Sequence, residues 1–176
     1  MAFSAIDRLI HRDPERRALR ALAERTKHLG SRRRPDLSLQ IVVDLARELT
    51  NGRYAALSVT DEHDHTEGFF VSGLDRDAML RLRTPPQGHG PLGSLRYDGK
   101  PVRFDDVAEH RKAFGFPTHH PEMHALAGVA LWADGVVRGA LYVTDRKDGH
   151  AFDDDDERIL TTLGQHASQI IERDWY

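Results

Sequence analysis

The residues best suited to chemistry in this sequence are histidines gathered in a segment rich in glycine and proline. His119 and His120 stand side by side before Pro121, and His124 follows four residues after His120. A neutral imidazole is a good ligand for transition metals, and its pKa lies close to neutral pH. Histidines in such a segment are also common as solvated loop residues. The pattern therefore offers a candidate metal ligand beside the simpler interpretation of a histidine-rich surface loop.

A second histidine pair, His63 and His65, flanks Asp64 within a polar run. Side chains at positions i and i+2 of a strand lie on one face, so a small metal site could form there. The run also lies between two predicted strands, where a hairpin turn needs polar residues in any case. We expect the turn and not the metal site.

The absence of cysteine removes several classes of function. Disulfides, thiolate catalysis, zinc sites with cysteine ligands and thioether attachment of a cofactor all require that residue. No Ser-His-Asp order is apparent, and the glycines at Gly88 and Gly90 lack the strand-to-helix context of a phosphate-binding loop. We therefore expect a binding module and not an enzyme.

Composition and charge favour one globular domain with small-molecule or protein partners. The 176 residues carry a formal net charge of −3, and the pI is near 6.4. The basic run Arg32 to Arg34 and the acidic run Asp153 to Glu157 are not interleaved with aromatic residues, which argues against nucleic-acid binding. Met1 to Ile10 lacks the long apolar run of a signal peptide or membrane helix. We expect no membrane contact and a cytoplasmic location.

Periodicity and turn signals predict an alternation of helices and antiparallel strands. A capping box between Asp154 and Glu157 is expected to start the last helix. The predicted elements, in chain order, are a helix from Pro14 to Gly30, a helix from Pro35 to Asn51, strands 54–60 and 68–72, a short helix 76–82, a strand 101–104, strands 126–132 and 136–144, and a helix from 154 almost to Tyr176.

This order predicts an α/β (α+β) fold with a central antiparallel sheet. The terminal helices would cover one sheet face, and a ligand pocket beneath loops would occupy the other. The long stretch 84–121, rich in glycine, proline and histidine, is of the kind that carries function inside a compact domain. We assign residues 1–34 to an N-terminal helical extension and residues 35–176 to the domain itself.

Tyr142 is the aromatic residue whose position in a predicted strand is most informative. It alternates with Leu141 and Val143, so its side chain must face the opposite side of the sheet from theirs. That side is either the pocket or the layer of terminal helices.

Four motifs occur in order along most of the chain: Gly88 to Gly93, Pro101 to Asp106, Gly115 to Met123, and Gly139 to Asp145. With them the sequence resembles GAF domains of actinobacterial sensor histidine kinases, from about Leu37 to Arg173. It is most similar to the haem-binding GAF domain of the mycobacterial dormancy-type kinases, which sense oxygen or redox state through a b-type haem.

The resemblance implies a haem site with named residues. The iron ligand of that family is the histidine before the proline in the third motif, which is His120 here, and the distal tyrosine is Tyr142. A phenol beside an open coordination position can hydrogen-bond a bound diatomic molecule or water. Phe116, Met123 and Leu126 could then form an apolar wall around the haem, although such residues also suit ordinary packing.

The family also shields the haem edge with a polar set on its first hairpin. The matching positions are Ser58, Asp61 and Asp64, of which only Asp61 keeps the family residue type. His119 and His124 are alternative iron ligands to His120.

The resemblance thus implies a stand-alone GAF sensor that binds b-type haem and responds to oxygen, nitric oxide or redox state. The alternatives are a haem-free GAF module for a small organic ligand and a haem-dependent enzyme. Because no kinase follows in this sequence, we expect the signal to leave through a homodimer or through a separate signalling protein. The expected dimer helices carry a leucine stripe near the N-terminus and, near the C-terminus, Ile170, Ile171, Trp175 and Tyr176.

Overall fold

The computed structural model describes residues 13–30, 33–75, 77, 98–105 and 123–176. Its sheet has the strand order β2-β1-β5-β4-β3, and every described pair of neighbouring strands is antiparallel. The elements are α1 (Pro14–Thr26), α2 (Pro35–Leu49), β1 (Gly52–Thr60), β2 (Thr66–Ser72), β3 (Val102–Phe104), β4 (Leu126–Ala133), β5 (Val136–Arg146) and α3 (Asp154–Ile170), which continues as a π-helical turn (Ile171–Trp175). The predicted helix 76–82 falls outside the described residues except for Asp77.

Helix α1 begins where the sequence predicts and ends earlier. The Asp13 carboxylate accepts hydrogen bonds from the amides of Glu15 and Arg16, which satisfies two of the free donors of the first turn. The helix stops at Thr26, before the predicted end at Gly30. The amide of Leu29 donates to the Thr26 carbonyl, so a turn replaces the last helical residues.

The capping box of α3 lies one residue earlier than predicted. Asp153 accepts from the Asp156 amide, and the Asp156 carboxylate accepts from the Asp153 amide, both at 3.0 Å. Arg146 at the end of β5 also donates to Asp156, at 3.0 Å. Arg103 pairs with Asp154 and Glu157, the two residues of the predicted box. The contacts of the two arginines therefore favour the box between Asp153 and Asp156.

The two faces of the sheet carry separate apolar clusters. The larger cluster joins the three helices to strand residues such as Leu57, Leu131 and Leu141. The smaller cluster lies on the opposite face and contains no described helical residue; its buried members are Ala56, Met123, Leu126, Ala130 and Tyr142. The predicted α+β architecture, with a central antiparallel sheet and the helices on one face, is therefore confirmed.

The C-terminal apolar residues pack within the chain. Ile170 and Ile171 are buried in the larger cluster, and the Trp175 ring meets Phe70 edge-on. The hydroxyl of Tyr176 donates to the Thr60 carbonyl at 2.9 Å. Tyr176 itself is still 59% exposed, so the predicted homodimer depends on this residue and on α1, where Leu19 is 56% exposed.

No helix in the described part of the chain is long and apolar enough to cross a membrane.

Candidate functional site

Tyr142 lies on the sheet face opposite the helices. Leu141 and Val143 belong to the helix-side cluster, so the predicted alternation is confirmed and the choice of face is settled. The register places Ala56 of β1 and Gly128 of β4 beside Tyr142. Because both neighbours are small, the sheet leaves space next to the phenol ring.

Apolar side chains surround that space. Met123 and Leu126, two of the predicted wall residues, are buried in the same cluster as Tyr142. A cavity on this face has a volume of about 10 Å³, room for one water molecule at most. It is lined by Tyr54, Ala55, Ala56, Phe69, Val71, Leu74, Met123, Tyr142 and Thr144.

Tyr142 and Thr144 are the two residues of β5 that bring a hydroxyl group to this cavity. Tyr142 is 6% exposed and Thr144 is 1% exposed. The Thr144 hydroxyl is buried and has no hydrogen-bond partner within the described residues. Buried polar groups are normally satisfied, so an unpaired one indicates a missing partner such as water or a ligand.

Sequence reasoning found Tyr142 and missed Thr144. The signal was available, because residues i and i+2 of a strand share a face, and Thr144 follows Tyr142 at that spacing.

Burial raises the pKa of the Tyr142 phenol above its ordinary value, because the charged phenolate is poorly solvated there. The phenol therefore keeps its proton in the folded protein at a pH where the unfolded chain begins to lose it. The stabilising effect is fully present below the unfolded pKa of about 10 and is lost as the pH rises towards the folded pKa.

We expect Tyr142→Phe to remove this loss of folding stability at alkaline pH. Relative to the wild type, the variant should retain about 1 kcal/mol more of its neutral-pH free energy of unfolding at pH 11. Urea unfolding at pH 8 and at pH 11 measures the difference. If Tyr142→Phe loses as much stability between the two pH values as the wild type does, the assignment to Tyr142 is contradicted.

Asp61 organises the turn between β1 and β2. Its carboxylate accepts from the amides of His63 and His65, each at 2.8 Å, and lies 3.0 Å from the Nδ1 atom of His65. The His65 amide is the main reason why the pKa of Asp61 is lowered. Asp64 takes a left-handed φ of 67°, as a tight turn requires. The predicted hairpin turn is confirmed. The Asp61 carboxylate is used in hydrogen bonds within this turn, so its position can be explained without a bound ligand.

The histidines are divided between different places. His124 is exposed and lines an open polar cleft with a volume of about 840 Å³, together with Arg53, Asp105 and His150. It does not line the cavity beside Tyr142. His119 and the predicted site residues His120 and Phe116 lie outside the described residues. Across the described ranges, no three histidine, aspartate or glutamate side chains are grouped so that they could hold a metal ion.

Solved structures similar to this chain share its fold at low sequence identity. The GAF domain of a phosphoenolpyruvate-protein phosphotransferase from Coxiella burnetii is 21% identical, with a TM-score of 0.69 over 89% of this chain and 94% of that one. A free methionine-R-sulfoxide reductase from Neisseria meningitidis, in complex with its substrate, is 18% identical, with a TM-score of 0.65 over 97% and 93%. A far-red absorbing protein with bound biliverdin IXa is 12% identical, with a TM-score of 0.62 over 93% and 99%.

The sequence itself matches the GAF domain family over residues 34–172. This match covers most of the chain and includes both strand hairpins and the cluster around Tyr142. The chain belongs to the GAF domain family.

Proposed function

We propose that this GAF domain is a sensory module whose ligand lies against the sheet face that carries Tyr142, and that the ligand is b-type haem. The observation that supports the proposal best is the position of Tyr142, a buried phenol that belongs to an apolar cluster and lines a cavity on the sheet face opposite the helices. A ligand with an apolar body would pack on the cluster, and a polar atom of the ligand near β5 could form a hydrogen bond with the phenol.

The described residues suit one side of a haem site. Met123 and Leu126 would contact an apolar porphyrin face, and Tyr142 would donate a hydrogen bond on the distal side. The iron ligand would be His120. A cavity of about 10 Å³ is smaller than a porphyrin, so the proposal requires further space between Tyr142 and the segment that carries His120.

When bound, haem would supply an iron with a free coordination position for a diatomic gas. The chain would contribute three effects. His120 would fix the iron, the apolar wall would exclude water, and the Tyr142 hydroxyl would hold a proton towards the bound gas. Oxygen, nitric oxide and a change of redox state are the proposed signals.

The proposed response is a change in binding and not a catalysed reaction. We propose that it reaches a homodimer partner through α1 or passes to a separate signalling protein in the cytoplasm. Nucleic acid and membranes are not among the proposed partners.

A haem-free module for a small organic ligand is the second candidate. A small organic ligand needs less additional space than a porphyrin, and the aromatic residues Tyr54 and Phe69 that line the cavity would contact it. Two of the similar structures hold organic molecules, namely a substrate and biliverdin IXa. Their low identities limit the comparison to the fold.

The absorption spectrum of protein produced with haem supplied decides between the two candidates. We expect a Soret band at about one haem per chain if the motif around His120 supplies the iron ligand. His124→Ala and His150→Ala are the controls and should keep the band, because both histidines lie in the polar cleft and away from Tyr142. A wild-type protein without a Soret band would overturn the haem proposal in favour of the organic ligand.

A further inference from the structure

The hydroxyl of Thr144 is the buried polar atom that packing explains least. Thr144 is 1% exposed, and its Oγ1 atom has no hydrogen-bond partner within the described residues. Its strand neighbours in register are Tyr54 of β1 and Leu126 of β4, both from the apolar cluster around Tyr142. Nothing in the sheet itself therefore uses the hydroxyl.

Two other buried threonines, Thr50 and Thr162, have hydrogen-bonded hydroxyls. Thr50 is also 1% exposed, yet its hydroxyl donates to the Ala46 carbonyl at 2.6 Å. The hydroxyl of Thr162 donates to the Arg158 carbonyl at 3.0 Å. A buried donor without a partner loses its hydration and gains nothing in return, so Thr144 is unfavourable unless something binds there.

The position of Thr144 indicates what would bind. Tyr142 and Thr144 are about 7 Å apart along one face of β5, and both line the small cavity. A ligand on this face would meet the Thr144 hydroxyl beside the Tyr142 side chain, while the surrounding Phe69 and Met123 would accept an apolar body.

We propose that Thr144 is the second polar anchor of the ligand pocket, beside Tyr142, and that the Thr144 hydroxyl donates a hydrogen bond to an oxygen acceptor of a largely apolar ligand. Haem and biliverdin both belong to this ligand class, since each joins a flat conjugated body to carboxylate groups. The inference rests on the proposed function for the location of the ligand, but not on the ligand being haem.

The first test uses the ligand-free protein and Thr144→Val, which keeps the shape and removes the hydroxyl. We expect the melting temperature to rise by about 2–6 °C, because an unsatisfied buried group disappears. Thr50→Val, which removes a paired hydroxyl of equal burial, should lower it. A fall in both variants would show that Thr144 has a structural partner and would overturn the proposal.

The second test measures the dissociation constants of haemin and of biliverdin by absorbance titration. For the probe that binds, Thr144→Val should raise the constant about tenfold, and Thr144→Ser should stay within about twofold of wild type. Equal constants for wild type and Thr144→Val would overturn the proposal, as would a wild-type protein that binds neither probe. If the protein binds biliverdin but not haemin, the haem assignment is overturned. The role of Thr144 is then tested by the dissociation constants of biliverdin for the wild type and Thr144→Val.

Discussion

Alanine at position 120 is expected to abolish haem binding while the domain stays folded. The motif provides one protein bond to iron, and alanine cannot replace it. In the sequence, His120 stands between β3 and β4 in a segment rich in glycine and proline, where no strand or helix is predicted. We therefore expect loss of the Soret band with little change in the melting temperature.

Free imidazole provides a second measurement on the same variant. If His120→Ala leaves a gap beside the iron, added imidazole should restore haem uptake and much of the spectrum. His119→Ala is the matched control, because it removes the neighbouring ring and keeps the histidine that precedes Pro121. A wild-type spectrum in His120→Ala would show that the iron ligand is another histidine, with His119 as the next candidate.

Tyr142→Phe should give a different result from His120→Ala. The ring and its packing remain, so haem should be retained, while the hydrogen bond to the distal ligand disappears. A neutral hydrogen bond contributes about 1 kcal/mol, which corresponds to roughly a fivefold change in gas affinity or in the autoxidation rate. Stopped-flow measurements of gas binding test this, and equal affinities would remove Tyr142 from the distal side.

The strands could be predicted from the sequence because their local signals agree. Asp134 and Gly135 mark the β4–β5 turn, and both adopt the left-handed conformation, with φ values of 51° and 77°. The capping of α3 could not be placed to the residue, because four consecutive aspartates can each act as a cap. The choice depends on Arg103 and Arg146, which approach only when the sheet has formed.

The site was predictable in part. The alternation of the strand predicted that Tyr142 faces the opposite side from Leu141 and Val143. Because both faces of β5 are apolar and buried, the pattern could not show which face carries the pocket. Only the packed helices distinguish the two faces. The importance of Thr144 depends on the absence of a partner, which is a property of the folded structure and leaves no trace in residue type. His120 was identified through the resemblance of its motif and not through contacts.

A further large effect is expected from Gly139, on the strand that carries both hydroxyls of the pocket. Gly139 pairs with Val59 of β1 and Leu131 of β4, and the register of the β4–β5 pair shifts directly after Leu131. At this point β5 approaches β1 so closely that an added Cβ atom would lie 2.0 Å from the carbonyl oxygen of Ser58.

Gly139→Ala should therefore lower the free energy of unfolding by about 3 kcal/mol, a large effect for one methyl group. The obstacle is backbone of a paired strand, which cannot rotate away as a side chain would. Gly52→Ala is the matched control on β1, because its Cβ would make ordinary contacts of 3.4 Å or more and should change stability by less than about 1 kcal/mol. Urea unfolding at neutral pH compares the two variants. Relief of the clash must move β1 or β5, and both strands line the cavity, so Gly139→Ala should also weaken ligand binding. A stable variant with unchanged binding would contradict the close approach of β1 and β5.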